Sequence, residues 1–396
     1  MHPTIQERAY DLAPKLIEIR RLIHRHPELG FREIHTAGLV ADFLNSLGIE
    51  IKTGVAKTGV VGNLGSNGPI VALRADMDAL PIQELNQVVY ASEVPGVMHA
   101  CGHDVHTTCL LGAAMLLKDI QLSGRVRFLF QPSEEGMDEE GKSGARRMVE
   151  EGAFEQVQAV FGLHVDSKYA SGVLACSPGY ILAALDNFKL DILGRAAHGA
   201  QAYLGIDAIS LAAQVISALH TIVSRRVPAL DSAVLSIGMI QGGSKENNLA
   251  EQVELRGTIR TFDPEIRQKV IDEMHKACNI AKVLDGDYQL TIQTGYPSLC
   301  NDSTLAAFAR DLAVGLVGAQ AVEDIQPEMG SEDFSFYTQK SPGCYLSLGV
   351  RPPGQPMRPL HNPNFDVDES VIPLGAAVLA ELAYQYLEKK PLENLR

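Results

Sequence analysis

Two stretches of this chain, RVRFLFQ (125–131) and QAVFGLHV (158–165), are nearly continuous runs of apolar residues. Such runs suit strands buried on both faces, which is what helices packed on either side of a parallel sheet require. A third strand-like run, PIVALRADM (69–77), precedes them, and a helical pattern from Asp104 to Lys118 separates it from the next. Further helices are expected from Thr4 to His24 and from Thr36 to Leu47, the latter stopped by Gly48. Together these features predict an α/β domain with a mostly parallel central sheet.

Near residue 183 the pattern changes. NFKLDILGR reads as a strand, and residues 207–226 as an amphipathic helix with Ile209, Ala212, Ile216, Leu219 and Val223 on one face. Strands at 233–241 and 251–262 follow, then a helix opened by Asp263-Pro264 and reaching about Leu284, then a strand at 288–294. This β-α-β-β-α-β order is the ferredoxin-like split motif. After it, a helix STLAAFARDLAVGLV, a strand GCYLSLGV (343–350) and a helix from about Val371 restore the α/β pattern. The expected organisation is an α/β domain in two parts, 1–182 and 297–396, with a self-contained domain, 183–296, inserted between them.

Composition narrows the function. A formal net charge of −14 over 396 residues disfavours a nucleic-acid partner, which calls for clustered Lys and Arg. No apolar run reads as long enough to span a membrane, and MHPTIQERAYDL lacks the apolar stretch of a signal peptide. Six cysteines without regular spacing read as reduced thiols in a cytoplasmic protein.

Polar residues cluster where the predicted strands end: Asp76 and Asp78, Glu134 and Glu135, His164, and His361 after a Pro- and Gly-rich loop. Open α/β sheets place ligand sites outside the carboxyl ends of their strands, so these residues can share one rim. Cys, His and Glu converging there make a donor set for Zn, Mn, Co or Ni. In MHACGHDVHTTC (98–109), Cys101 and His103 alternate in an extended segment and point the same way. His99 shares that spacing. Asp104 reads as the N-cap of the following helix, with His106 in its first turn and Cys109 facing the core. Adjacent Glu134 and Glu135 diverge, so one can bind metal while the other faces substrate. Asp76 and Asp78, taken alone, read equally well as strand-terminal turn residues.

The whole constellation resembles the aminoacylase/carboxypeptidase superfamily of dinuclear metallohydrolases, in its hippurate hydrolase branch. The motifs run almost end to end: HRHPELGFRE (24–33), RADMDALPIQE (74–84), MHACGHDVHTT (98–108), FQPSEEG (130–136), GLHV (162–165), GRAAHGA (194–200), GTIRTFDPE (257–265), GSEDFSFY (330–337) and LHNPNFDVDE (360–369). The resemblance implies two divalent metals per subunit. The Cys101 thiolate would lie between them, with His103 and His164 on one and Glu135 and His361 on the other. It implies Glu134 as general base, Asp78 as partner of a ligating histidine, and no ligand role for His99. It also implies His198 as an oxyanion donor reaching a neighbouring subunit, and Asn247 and Arg260 as holders of the substrate carboxylate. For Arg260 an ordinary ion pair along the strand is the competing reading. Departures fall mainly in the inserted segment: Ala202-Tyr203 replaces a Pro-His pair, and Asn247-Asn248-Leu249-Ala250 replaces NVIP. Val105 replaces a glycine, and MDEEGKSG adds acidic residues after the glutamate pair.

The expected activity is cleavage of an N-acyl amino acid to a carboxylic acid and a free amino acid, by metal-bound hydroxide. The protein would be cytoplasmic, a homodimer or larger, with a small-molecule substrate and neither nucleic acid nor membrane as partner. A dipeptidase or carboxypeptidase on the same centre is the alternative, and a metal-binding protein without turnover is a third.

Overall fold

The computed structural model describes residues 4–389. The larger sheet has eight strands, in the order Glu50–Val55, Gly59–Gly65, Arg125–Gln131, Ile70–Asp76, Val157–Ala170, Gly343–Arg351, Leu174–Ala175 and Val322–Glu323. Its middle four, Arg125–Gln131 to Gly343–Arg351, are mutually parallel. Ile70–Asp76 is buried at every position, which accounts for a sequence that does not alternate. Arg74 lies opposite Gly162, so His164, two residues further along the long strand Val157–Ala170, is level with Asp76. That register brings a mid-strand histidine to the rim where its neighbour ends.

The helix His103–Leu117 is buried along its whole length, packed against the central strands and against the C-terminal helix Ile372–Lys389, which touches the same strands. It starts differently from the sequence reading. Gly102, in a left-handed conformation (φ 84°), occupies the cap position without any side-chain cap, and Asp104 lies inside the first turn. The Asp104 carboxylate instead accepts from Arg20 Nε at 2.7 Å and bonds His24 Nδ1 at 2.7 Å, all three side chains being buried. The expected helix 4–24 is two helices, Ile5–Asp11 and Ala13–Arg25. Pro14, which has no N–H to donate, sits in the first turn of the second.

The chain forms two compact units. One takes in the chain up to Ile181, Cys300–Gln326 and the chain from Asp333; the other is Leu182–Leu299 with Pro327–Glu332. That last short stretch, outside 183–296 in the sequence, joins the second unit, where Ala183 N donates to Glu328 O and Gly330 O. The second unit is a four-stranded antiparallel sheet ordered Asp287–Thr294, Ala184–Leu193, Gln252–Thr261, Ala233–Gly242, the ferredoxin-like arrangement. Phe188, Leu190 and Ile192 alternate into a core shared with the helices Ala208–Arg226 and Pro264–Val283. The buried stripe of Ala208–Arg226 is Ala208, Leu211, Ala212, Val215, Leu219 and Ile222, while Ile209 is exposed, which rotates the predicted face. By length and composition two helices, Ala208–Arg226 and Glu369–Lys389, could cross a membrane, contrary to the sequence reading. The second is largely buried in the core of the larger unit, and the first packs one stripe on its own sheet.

Candidate metal centre

His103, His164, Cys101, Glu135 and His361 meet at the carboxyl end of the parallel strands. Two sets of three donors form there, Cys101–His103–His164 and Cys101–Glu135–His361, and within each set the donor atoms lie within 4.8 Å of one another. Cys101 belongs to both. Its Sγ is 3.5 Å from His164 Nε2, and His361 Nε2 is 2.9 Å from a Glu135 oxygen.

Local structure aims each group. Gly102 is needed on two counts: its φ is positive, and a Cβ there would fall 2.3 Å from Val165 Cγ2. The backbone can therefore pass close to Val165 and turn Cys101 and His103 into the site. His361, itself at φ 61°, donates its N–H to Ala100 O at 2.8 Å, tying the distant C-terminal loop to the same segment.

The imidazole tautomers follow from their partners. A carbonyl can only accept, so His164 Nδ1, 2.7 Å from Val165 O, carries the proton and leaves Nε2 with its lone pair toward Cys101. His103 Nδ1 likewise donates to Asp78 O at 2.9 Å, with Asp78 Oδ1 at 3.2 Å. His103 Nε2 is buried with no hydrogen-bond partner among the described residues. With Nδ1 spent on Asp78, this is the ring atom left for a ligand, and a buried polar atom without a partner is costly unless a ligand takes it up.

Charge points the same way. Burial lifts the Cys101 thiol far above its usual range, and Glu135, Glu134 and Asp76 push it further. Burial pulls His103 down, but Asp76 and Asp78 outweigh it and raise the ring to about 10. A pocket that crowds a thiol and three carboxylates around the unpartnered His103 Nε2 is short of positive charge, and divalent cations fit it.

Three residues had larger parts than the sequence suggested. Asp76 is a fully buried carboxylate, not a turn residue: Arg74 Nη1 donates to it at 2.7 Å and His106 Nδ1 at 2.6 Å. His106 then accepts the Val165 N–H on Nε2 at 2.9 Å. The chain Arg74–Asp76–His106–Val165 thus braces the strand next to His164. The spacing of His103 and His106, one helical turn apart, was the visible signal. Asp78 does double duty, since its Oδ2 also accepts Glu135 N–H at 3.0 Å. His99 is buried, and burial lowers its ring to about 4.

Glu134 is buried beside the centre, its carboxylate grouping with His103 and Glu135 within 4.8 Å. The remaining residues lie on the second unit. His198 and Asn247 are neighbours there: Gly199 N donates to Asn247 O, and His198 bridges Asn248. His198 is exposed and its Nδ1 accepts Ala200 N–H at 3.1 Å, which puts the ring proton on the outward Nε2. Arg260 is half-buried, its Nη1 lying 3.3 Å from Ser331 Oγ and 3.4 Å from Met329 O, and no ion pair of its guanidinium is found among the described residues.

Residues 72–385 match the model of Peptidase family M20/M25/M40. The chain belongs to this family. It is 40% identical over 382 residues to N-acetyl-L-cysteine deacetylase of Bacillus subtilis (strain 168), covering 95% of this chain and 89% of that one. It is 40% identical over 386 residues to Thermostable carboxypeptidase 2 of Saccharolobus solfataricus, covering 94% and 96%. The crystal structure of the Bacillus subtilis YXEP protein, a dinuclear metal binding peptidase from the M20 family, superposes with a TM-score of 0.83 at 36% identity, covering 96% of this chain and 99% of that one.

Proposed function

We propose that this family member is a dinuclear metal-dependent amidohydrolase that cleaves N-acyl amino acids to a carboxylic acid and a free amino acid. Two donor triads sharing Cys101, with Glu134 beside them, carry the reading. Cys101, His103 and His164 would hold one divalent ion, and Cys101, Glu135 and His361 the other. When bound, the ions supply Lewis-acid activation of water and of the amide carbonyl. Glu134 accepts the proton of the attacking water and delivers it to the amine nitrogen as the C–N bond breaks. Asp78 locks the His103 tautomer and the Glu135 backbone in place.

His198 of a neighbouring subunit donates to the oxyanion through Nε2, which makes the working unit at least a homodimer. Asn247 and Arg260 take the substrate carboxylate, and the absence of an ion pair at Arg260 supports this use of its guanidinium. The segment 183–296 then serves as a lid and dimerisation domain. Mn, Zn, Co and Ni all suit the donors, and six free cysteines agree with a cytoplasmic location. The carboxypeptidase relative favours a second reading, cleavage of a C-terminal residue by the same centre, to which Arg260 would contribute equally.

The test is a panel of acetyl-, benzoyl- and aminoacyl-amino acids assayed after reconstitution with each metal. Hydrolysis of the acyl substrates supports the proposal, preference for aminoacyl substrates supports the second reading, and no hydrolysis with any metal refutes both. Glu134→Gln should keep two metals per chain and lose about 10²–10⁴-fold in kcat.

A further inference from the structure

The stretch HRHPELGFRE (24–33) has so far no part in the chemistry. In the structure its end packs against the loop that carries Glu134 and Glu135. Ser133, immediately before the pair, sits at φ 46°, a conformation that a residue with a side chain adopts only when its surroundings hold it there. Its N–H donates to Glu33 Oε1 at 2.9 Å. The same oxygen takes the Phe31 N–H at 3.0 Å, and Glu33 Oε2 takes the Thr58 hydroxyl at 2.6 Å. Glu33 is completely buried. Gly30 admits the loop, since a Cβ there would come within 2.4 Å of Ser133 Oγ. Two residues on, Glu135 N–H is held by Asp78.

We propose that Glu33 is a positioning residue: by gripping the Ser133 N–H it holds the left-handed turn that sends Glu134 and Glu135 in different directions. The two backbone amides on either side of Glu134 are then pinned by separate carboxylates, Glu33 before and Asp78 after. The proposal rests on the reading of Glu134 as base and Glu135 as ligand. Both amide donors use Oε1, so a glutamine can reproduce every contact, with Oε1 accepting from Ser133 and Phe31 and Nε2 donating to Thr58 Oγ1. An aspartate keeps the carboxyl group but withdraws the acceptor by one methylene. An acid that merely filled the fold would show the opposite order, with the carboxyl-keeping variant the milder one.

The experiment compares Glu33→Asp and Glu33→Gln by hydrogen exchange of the metal-free protein and by kcat and KM on the best substrate of the panel. In Glu33→Asp, exchange across Ser133–Gly136 should quicken about 10-fold, the loss of one hydrogen bond, while the strand Arg125–Gln131 keeps its protection. Its kcat should fall about 10-fold or more at nearly constant KM, and Glu33→Gln should match the wild type in both measurements. Unchanged loop exchange in Glu33→Asp, equal loss of protection in the strand, or a Gln variant as impaired as Asp would each overturn the proposal. Gly30→Ala, which drives a methyl group into Ser133, should reproduce the loop-specific exchange with Glu33 intact, and no change there counts equally against it. A wild type that cleaves nothing would defeat the hydrolase reading alone, because the exchange data decide the role of Glu33 without turnover.

Discussion

Asp76→Asn leaves His106 facing an amide in place of the carboxylate that fixes its ring, and loosens the brace on Val165 beside His164. Affinity for the ion held by Cys101, His103 and His164 should drop 10–100-fold, the usual cost of losing such a partner. The other ion should be little affected, and competition with a chromophoric chelator would resolve the two steps. Glu33 makes a second prediction, on stability. Burial and the neighbouring Asp78 raise its carboxyl from 4.5 to about 7. Between these values the folded chain keeps a proton that the unfolded chain has lost, so stability falls as pH rises through the window, by on the order of 3 kcal/mol in all. Glu33→Gln should remove that slope from the melting temperature of the metal-free protein measured between pH 4.5 and 7. Cys101 and His103 were singled out in the sequence by an extended alternation that His99 shares, so the family resemblance had to separate them. In the structure it is the left-handed Gly102 at the helix start, not alternation, that turns the two side chains together. The partners of Asp76, Asp104 and Glu33 were not legible in the sequence, since Arg20 meets Asp104 across 84 positions and Ser133 meets Glu33 across 100.

At the level of elements, runs such as RVRFLFQ marked the parallel strands well because two-sided burial leaves no other pattern. The start of the helix His103–Leu117 was misjudged for a related reason. Asp before an apolar run is an ordinary cap signal, but here the cap is a glycine that the approach of Val165 demands. Gly102→Ala should therefore cost about 1–3 kcal/mol from the left-handed backbone alone. The clash with Val165 adds to that and displaces Cys101 and His103 together. Denaturant unfolding should show the loss, and metal analysis should find fewer than two ions per chain. The face of Ala208–Arg226 was placed one step off because its apolar residues wrap past one stripe, and only the sheet beneath decides which of them are covered.

For the molecule as a whole, five proposed ligands come from segments spread between Cys101 and His361, so bound metal acts as a cross-link between strand ends. Removing it with a chelator should lower the melting temperature, and adding it back should raise the temperature in proportion to the logarithm of metal concentration. A melting temperature indifferent to metal would argue against the ligand set. The strand Gly343–Arg351 pairs along Val157–Ala170, yet the entire second unit is threaded between them in the sequence. A ribosome therefore releases the first strand long before its neighbour exists. During that interval Val157–Ala170 offers a long apolar edge, and the intervening segment, with a core of its own, can fold meanwhile and shorten the loop left to close. The order of synthesis thus makes the outer segment wait for the inner one, and the half-made sheet is the stage at which an unpaired strand edge is most open to aggregation.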